Sequence, residues 1–111
     1  MGAGALREYV DFESPYADPD GYGGVEAGFV YQFRCRAQYT RLRGTETVMA
    51  ARLSGRQPTI VRVRASRASR DATTDWRIVD RRTGEIFNIR SKIESEDRAW
   101  IDFTAESGVA T

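Results

Sequence analysis

The sequence predicts a mainly β protein, a small antiparallel β-barrel or sandwich with one long loop or short helix at about residues 44–55. Several segments alternate apolar and polar residues with a period of two, and clusters of turn-forming residues separate these segments. A chain of 111 residues with 41% hydrophobic composition has enough apolar side chains for one modest core. We therefore expect a single domain, divided into an acidic N-terminal arm and loop at 1–28, a barrel at 29–105 and a frayed tail at 106–111.

The clearest strand is predicted at residues 29–39, where the two kinds of side chain alternate without interruption. Its even positions are mostly polar, and its odd positions carry Phe29, Tyr31, Phe33, Cys35, Ala37 and Tyr39. This pattern predicts one face against the core and one face in water. A strand of this length also predicts a bend or a bulge. Residues 59–65 repeat the alternation, with Val61 and Val63 directed inward.

Two further strands are predicted at residues 76–80 and 85–93, and a last one at 98–105. The turn between the first two, Asp80–Gly84, ends in a glycine that can adopt the positive φ of a tight hairpin. Together with the two earlier strands they would complete an antiparallel sheet. The side chains expected on the core face of these strands are Phe87, Ile89, Ile93, Ala99, Ile101 and Phe103.

Three segments lack the alternation and are expected to connect strands. Residues 13–28 hold two prolines and four glycines, which is typical of a long exposed loop. Residues 44–55 run from one glycine to another and allow either a two-turn helix at 46–53 or a mobile loop. Residues 66–75 are small, polar and basic, and we expect them to form a second exposed connection.

The composition excludes several classes of enzyme. The chain has no histidine and one cysteine, so it can form neither a Ser-His-Asp or Cys-His nucleophile system nor a zinc site built on imidazole or several thiolates. Cys35 falls on the core face of the clearest strand, where we expect a small buried hydrophobe rather than a nucleophile. We expect no catalytic activity, no cofactor and no metal ion, and no apolar run is long enough to predict a membrane span.

The net charge of +1 conceals a strong separation along the chain. Residues 1–33 carry −5, residues 34–70 carry +9 from ten arginines and one glutamate, and residues 71–111 carry −3. Arginine forms forked contacts with carboxylates and phosphates, and an unpaired patch of this charge would repel itself. The pattern therefore predicts an anionic partner for the middle third, either nucleic-acid phosphate or an acidic surface such as the N-terminal arm of a neighbouring copy.

The candidate binding residues follow from this charge pattern. The two clearest strands and the segments after them supply an expected basic face: Arg34, Arg36, Arg41, Arg62, Arg64, Arg67 and Arg70. The N-terminal third supplies an expected acidic interface arm: Glu8, Asp11, Glu13, Asp18, Asp20 and Glu26. Aromatic residues for base stacking are nearly absent from the basic block, so any DNA contact would be to the backbone and independent of sequence.

Several short motifs occur in a fixed order between about residues 18 and 109. They are Asp20-Gly21-Tyr22-Gly23-Gly24, Ala37-x-x-x-x-Leu42-Arg43-Gly44-x-Glu46, Ala50-Ala51-Arg52-Leu53-x-Gly55-Arg56-Gln57-Pro58, Val79-Asp80-x-Arg82-Thr83-Gly84-x-x-Phe87-Asn88-Ile89-Arg90 and Glu96-Asp97-Arg98. No single motif is specific, but the ordered set resembles the head-tail joining proteins of long-tailed phages. These are also called head closure or stopper proteins, and they have relatives in prophages and gene transfer agents.

The resemblance implies a small β-barrel that forms a hexameric or dodecameric ring at the virion neck and continues the DNA channel toward the tail. The implied partners are further copies of the chain, the portal or adaptor ring, the tail terminator or tail tube, and packaged double-stranded DNA. Assembly would take place in the cytoplasm of the bacterial host. In some members the loop between the second and third strands blocks DNA escape, and this loop matches residues 42–58 here. The residues implied to line or guard the channel are Arg43, Glu46, Arg52 and Arg56.

Three alternatives remain open from the sequence. A tail terminator or adaptor component of the same particle would share the fold and the ring. A free-standing, sequence-independent nucleic-acid-binding β-barrel would use the same arginines but would bind duplex DNA tightly as a monomer. A small enzyme would require a concave polar pocket with convergent titratable groups.

Overall fold

The computed structural model describes residues 6–108, whose strands close into an antiparallel barrel. Within that range the strands are β1 (Glu8–Pro19), β2 (Val25–Arg41), β3 (Gln57–Arg64), β4 (Arg77–Asp80), β5 (Ile86–Glu94) and β6 (Trp100–Ser107). The helix α1 (Glu46–Leu53) follows β2, and α2 (Arg67–Asp71) follows β3. Neighbouring strands follow the order β1-β2-β3-β6-β5-β4, and β4 pairs with β1 to close the sheet. The predicted mainly β fold is confirmed, in its barrel form.

The barrel encloses a core of aliphatic and phenylalanine side chains. Phe12 stacks on Phe33 with 4.5 Å between ring centroids and meets Phe103 at 5.1 Å in a tilted geometry. The inward direction predicted from the alternation is confirmed for six side chains of β3, β5 and β6, each at most 1% exposed: Val61, Val63, Phe87, Ile89, Ile101 and Phe103.

The prediction of a long exposed loop at residues 13–28 is wrong, because most of this segment is a β-hairpin. β1 and β2 pair along the whole length of β1, and a turn at 20–24 joins them. Pro15 and Pro19 lie in the part of β1 beyond Glu13, where the strand has no neighbour on its other side. An edge strand tolerates proline where the missing N–H would face solvent. The prolines and glycines therefore mark an edge and a turn rather than a loop.

The barrel extends beyond the expected 29–105 at both ends. β1 pairs with both β2 and β4, so the expected arm and loop at 1–28 contributes a strand. β6 continues to Ser107, which is 5% exposed. Residues 106 and 107 of the expected frayed tail at 106–111 therefore belong to the barrel. Residues 1–5 and 109–111 lie outside the described part of the chain.

The bulge expected in the long strand is confirmed, and it reverses two side chains. The β1–β2 register shifts after Phe12 and leaves Gln32 as an extra residue on β2. An extra residue moves every side chain beyond it to the other face of the strand. Phe29 and Tyr31 were predicted to face the core but lie on the outer face, and Tyr31 is 54% exposed.

A second bulge lies in β5 at Arg90, where the register against β6 shifts between Ile89 and the residue after the bulge. The prediction that Ile93 faces the core is therefore wrong, and its side chain is 66% exposed. Lys92 takes the inward-facing place instead, and its ammonium donates to the carbonyl oxygen of Ala72 at 2.9 Å.

Two of the predicted connections contain helices. α1 begins after Thr45, whose hydroxyl accepts a backbone N–H at 3.1 Å, and ends before Gly55, which has a φ of +84°. The helix, and not the mobile loop, is therefore the alternative adopted at 44–55. The connection predicted at 66–75 contains the single-turn α2, and it is only partly exposed because Ser69 and Ala72 are buried.

Candidate functional site

The arginines of the predicted basic face lie on the outer wall and rim of the barrel. β2 and β3 are paired neighbours, so the outward arginines of the two strands share one stretch of wall. Arg41 ends β2, and Arg67 and Arg70 lie on α2 beyond the end of β3. The arginines are therefore neighbours, as the predicted pairing of the two strands requires. Their net positive charge, however, is smaller than the sequence indicates.

Carboxylates of the same chain neutralise half of the ten arginines between residues 34 and 70. The pairs are Arg34–Asp11 (2.8 Å), Arg41–Glu85 (3.0 Å), Arg56–Glu106 (3.3 Å), Arg62–Asp102 (2.6 Å) and Arg70–Glu94 (3.1 Å). Antiparallel pairing sets β1 against β2 and β6 against β3, so acidic and basic blocks that are separate along the chain meet in space. Half of this positive charge is therefore balanced within the chain, and the predicted anionic partner remains a prediction for the other half.

The other five arginines of this block have no carboxylate partner among residues 6–108. They are Arg36, Arg43, Arg52, Arg64 and Arg67. The Arg36 guanidinium lies 4.5 Å from the ring centroid of Tyr9, and that of Arg64 lies 5.1 Å from Trp100, so both are held by cation–π contacts. Arg43 precedes α1 and Arg52 lies on it, which leaves unneutralised positive charge around this helix.

The predicted acidic arm separates into two halves. The half nearest the barrel pairs with arginines: Glu8 with Arg82 (3.9 Å), Asp11 with Arg34 (2.8 Å) and Arg81 (3.4 Å), and Glu13 with Arg77 (2.6 Å). The distal half, Asp18, Asp20 and Glu26, has no basic partner in the described range. Asp20 closes the hairpin turn by accepting the backbone N–H groups of Tyr22 and Gly24 at 2.8 and 3.0 Å.

Helix α1 presents two different faces. One face, which includes Thr47, Ala50 and Ala51, lines a groove of about 680 Å³ between the helix and the barrel. Met49 and Leu53 are four residues apart and share the opposite face, since residues at this spacing lie one above the other on a helix. Their side chains are 52% and 88% exposed. An apolar helix face is therefore uncovered in the single chain.

A hydrogen-bonded cluster that the sequence did not reveal lies where β2 leads into α1. The Tyr39 hydroxyl donates to Asp80 at 2.6 Å, and Asp80 also accepts two backbone N–H groups of the β4–β5 turn at 2.7 and 2.8 Å. Arg41 donates two bonds of 3.0 Å to Glu85. The hairpin predicted at Asp80–Gly84 is confirmed, and it was the only part of this cluster that the sequence indicated. Tyr39 and Arg41, which contact the hairpin from β2, are remote from it in sequence.

These contacts shift the pKa values of three acidic groups. Burial and the hydrogen bond to Asp80 raise the pKa of Tyr39 well above its usual range. Burial would raise the pKa of Asp80, but the hydrogen bonds from Tyr39 and from the turn outweigh it and lower that pKa. The two bonds from Arg41 lower the pKa of Glu85. Both carboxylates are therefore held in their charged form.

Replacing Glu85 with glutamine is expected to lower the free energy of unfolding by about 1 kcal/mol at neutral pH, because the partly exposed pair with Arg41 loses one charge. The folded-state pKa of Glu85 lies below the unfolded value of about 4.5, so the pair stabilises the protein above that pH. This stability is lost as the pH falls through the folded-state pKa. In urea unfolding, the difference between variant and parent should therefore shrink as the pH is lowered from neutral into the acid range.

The control for this experiment is Glu96→Gln, at an exposed position in the turn before β6. It should change the free energy of unfolding little at either pH. A Glu85→Gln effect of the same size at both pH values would contradict the assigned ion pair.

The remaining features of the described residues concern metal ligands, membrane spans and the single thiol. Among residues 6–108, no group of three or more potential metal ligands comes together. In the same part of the chain, neither helix has the length and hydropathy needed to cross a membrane. Burial raises the pKa of Cys35 to about 12, so its thiol stays protonated at neutral pH. The candidate functional surfaces of the described chain are the distal hairpin and the two faces of α1.

Comparison with known proteins gives one family and several structural relatives, which include the following two. The model of a family described as phage head completion protein matches residues 1–108. Protein SF1141 from Shigella flexneri 2a, known from a solution structure, is 16% identical with a TM-score of 0.71, and 100% of each chain is covered. A chain in the virion of a native gene transfer agent particle is 21% identical with a TM-score of 0.64, over 96% of this chain and 97% of that chain. The curated proteins contain no match.

The structural relatives and the family model establish different things. At these identities the two relatives show the fold, because many functions share one fold. The family model matches almost the entire sequence, and it agrees with the resemblance carried by the ordered motifs. The chain therefore belongs to the phage head completion protein family, and its role is a structural one at the junction of phage head and tail.

Proposed function

We propose that this chain forms a ring of identical copies at the virion neck, between the portal or adaptor and the tail, and that α1 gates the DNA channel through that ring. The observation that carries the proposal is the uncovered face of α1. Met49 and Leu53 lie in the connection between β2 and β3, and their side chains are 52% and 88% exposed to solvent. Adjacent exposed apolar side chains mark a surface that a partner covers. In a ring, the α1 helices of the other copies supply that partner.

The gate closes when several Met49 and Leu53 side chains pack together at the axis of the ring. Gly44 and Gly55 flank the helix with φ values of +90° and +84°, and such positions are suited to act as hinges at the two ends of the segment. Arg43 and Arg52 have no carboxylate partner in the described chain and are available for DNA phosphates in the open state.

The other residues implied to guard the channel have more fixed places. Arg56 is bound to Glu106 at 3.3 Å, so it anchors the end of the segment rather than moving with it. Glu46 lines the groove and lies in the first turn of α1. Its negative charge interacts favourably with the positive end of the helix dipole and so stabilises the helix. We assign both to the support of the gate.

We assign the remaining partners from the family and from one structural relative. That relative is a chain in the virion of a native gene transfer agent particle, which supports a place for this chain in a particle of the same kind. The partners are the portal or adaptor ring, the tail terminator or tail tube, and packaged double-stranded DNA, in a hexameric or dodecameric ring that assembles in the host cytoplasm. The internal pairing of five arginines disfavours the free-standing nucleic-acid-binding barrel, and no reaction or cofactor is part of the proposal.

The double variant Met49→Asp, Leu53→Asp tests the gate. Both side chains are exposed, so the barrel should fold as before, but carboxylates on this face would repel one another and the packaged DNA. Filled heads assembled with the variant should lose their DNA, measured as DNA that becomes sensitive to nuclease before a tail is attached. Ile93→Asp places a charge on an equally exposed apolar side chain away from α1, and it should leave DNA retention unchanged. Full retention by the double variant would contradict the gate.

A further inference from the structure

The outer half of the β1–β2 hairpin, residues 14–30, extends beyond the barrel as a two-stranded ribbon. The β1–β4 ladder ends at Glu13 and the β2–β3 ladder begins at Ala37, so within residues 6–108 the ribbon has no third strand. At about 3.3 Å per residue its strands reach roughly 20 Å beyond Glu13. The molecule is accordingly 51 Å long against 35 and 26 Å in the other directions. A two-stranded ribbon is marginally stable in water, and a partner that covers it would hold it in place.

One face of this ribbon is apolar. Residues directly opposite each other on two paired strands share a face, and on this face the pairs are Pro15–Phe29, Ala17–Ala27 and Pro19–Val25. The bulge at Gln32 is the cause, because it turns Phe29 and Tyr31 away from the core side. Val25 is 68% exposed and Tyr31 is 54% exposed. A continuous apolar strip of this kind marks a contact surface.

The end of the ribbon is acidic. Asp18 and Glu26 lie directly opposite each other, on the ribbon face opposite to the apolar strip, and Asp20 lies in the turn that follows. Like charges in opposite positions destabilise a strand pair unless a cation lies close to them. None of the three has a basic partner in the described chain, so the hairpin end is complementary to a surface rich in arginine.

The groove beside α1 has the matching character. Its walls are largely apolar, and they include Leu42, Val48, Ala50, Ala51 and Pro58. Arg56 and Arg90 also line it and share one carboxylate, that of Glu106, at 3.3 and 2.9 Å. Within the lining, Arg56 and Arg90 are balanced by Glu106 and Glu46. Arg43, which follows the lining residue Leu42, adds a cation without a carboxylate partner in the described range. The groove thus has apolar walls and a charge-balanced lining, with one unneutralised arginine next to it in the chain.

The hairpin and the groove lie at opposite ends of the barrel. β2 enters the barrel at Phe33, next to the bulge, and leaves it at Arg41, after which the α1 segment begins. A hairpin therefore points away from the groove of its own chain. Contact between two unlike surfaces on identical copies is heterologous, and it repeats from copy to copy until the ring closes.

We propose that the hairpin ribbon of one copy docks in the α1 groove of the next copy, with its apolar face on the groove walls and the acids of its end near Arg43, which precedes α1. This inference rests on the proposed ring and identifies the contact that builds it. The two faces of α1 then have separate functions. The groove face holds the neighbouring copy, and the opposite face, with Met49 and Leu53, remains free to face the channel.

Cross-linking in assembled particles tests the contact. A chain with both Val25→Cys and Ala50→Cys, treated with a short bismaleimide, should give a ladder of cross-linked multimers, because each copy then carries one thiol on the hairpin and one in the groove. The single variants should give no ladder, and the half-buried Cys35 should not contribute. Ile93→Cys in place of Ala50→Cys is the matched control outside the groove, and it should also give none. If particles that contain the double variant yield monomer and no cross-linked multimers, the proposal is overturned.

Charge reversal supplies a second measurement. Glu26→Arg replaces a repulsive pair with Asp18 by an attractive one, so the hairpin itself should not be weakened. We nevertheless expect it to reduce incorporation of the chain into necks by about tenfold, and Arg43→Glu in the same chain should restore part of the loss. Unchanged incorporation of Glu26→Arg would count against the docking.

The outcomes separate this contact from the proposed function. A ring at the neck without any ladder would overturn the docking and leave the ring and its gate intact. Cross-links from Val25→Cys to a different particle protein would show that the hairpin does not bind a second copy. Necks that contain no ring of this chain would contradict the proposed function itself.

Discussion

Ile89→Ala is expected to lower the free energy of unfolding by about 2–5 kcal/mol, whereas Ile93→Ala on the same strand should change it by less than about 0.5 kcal/mol. Ile89 is 1% exposed and packs in the core, so its truncation loses buried apolar surface and leaves a cavity. Ile93 is 66% exposed because the bulge at Arg90 turns it outward. The loss at Ile89 is a large part of the 5–15 kcal/mol that stabilises an ordinary domain.

Chemical denaturation of the two variants measures this difference directly. The substitution is the same at both positions and the strand is the same, so strand propensity largely cancels. An unbroken alternation in β5 would make both variants costly. Two losses of similar size would therefore contradict the bulge, and two negligible losses would contradict the placement of Ile89 in the core.

Alternation of side chains predicted which segments are strands but not where their alternation is interrupted. The pattern of β2 is regular through Phe29 and Tyr31, yet the extra residue at Gln32 turns both outward. A bulge is decided by pairing with the neighbouring strand, and the sequence of one strand does not contain that register. The same reason explains the error at Ile93.

The charges of the site illustrate the same limit. The sequence shows separate acidic and basic blocks, and this separation favours an intermolecular partner. In the barrel, antiparallel neighbours bring Asp11 to Arg34 and Asp102 to Arg62, and half of the arginines in the basic block are neutralised within the chain. What remains is found only after the pairs are assigned: the acids of the distal hairpin and the arginines around α1. The predicted complementarity of acidic and basic surfaces survives as a hypothesis, but on fewer residues.

At residues 44–55 the sequence alone left a two-turn helix and a mobile loop as alternatives, and the structure adopts the helix. Thr45 and Gly55 provide the cap and the positive φ that end a helix at either side. The anchoring of this segment was not accessible, since Tyr39 and Asp80 are 41 residues apart and meet only when the barrel closes.

Asp80→Ala is therefore the second substitution for which we expect a large effect, about 3 kcal/mol or more in the free energy of unfolding. Asp80 is 2% exposed, and its removal leaves the Tyr39 hydroxyl and two turn N–H groups without an acceptor. Each buried polar group that loses its partner costs about 1–3 kcal/mol. Tyr39→Phe removes only one donor and should cost about 1 kcal/mol, and Asp80→Asn, which keeps an acceptor for the turn, should fall between the two.

The effect of Asp80→Ala should extend to the gate, because Tyr39 lies near the end of β2 and the α1 segment follows Arg41 directly. The loss of this contact should make the α1 segment more mobile. In hydrogen exchange, the amides of α1 should therefore accelerate in the variant by a larger factor than the amides of β6, whose acceleration reports the loss of global stability. Uniform acceleration across the whole chain would show that Asp80 stabilises the barrel without positioning α1. A loss of less than about 1 kcal/mol would contradict the assigned hydrogen bonds themselves. Under the proposed function, a loosened α1 would also release DNA from filled heads even though Met49 and Leu53 are intact.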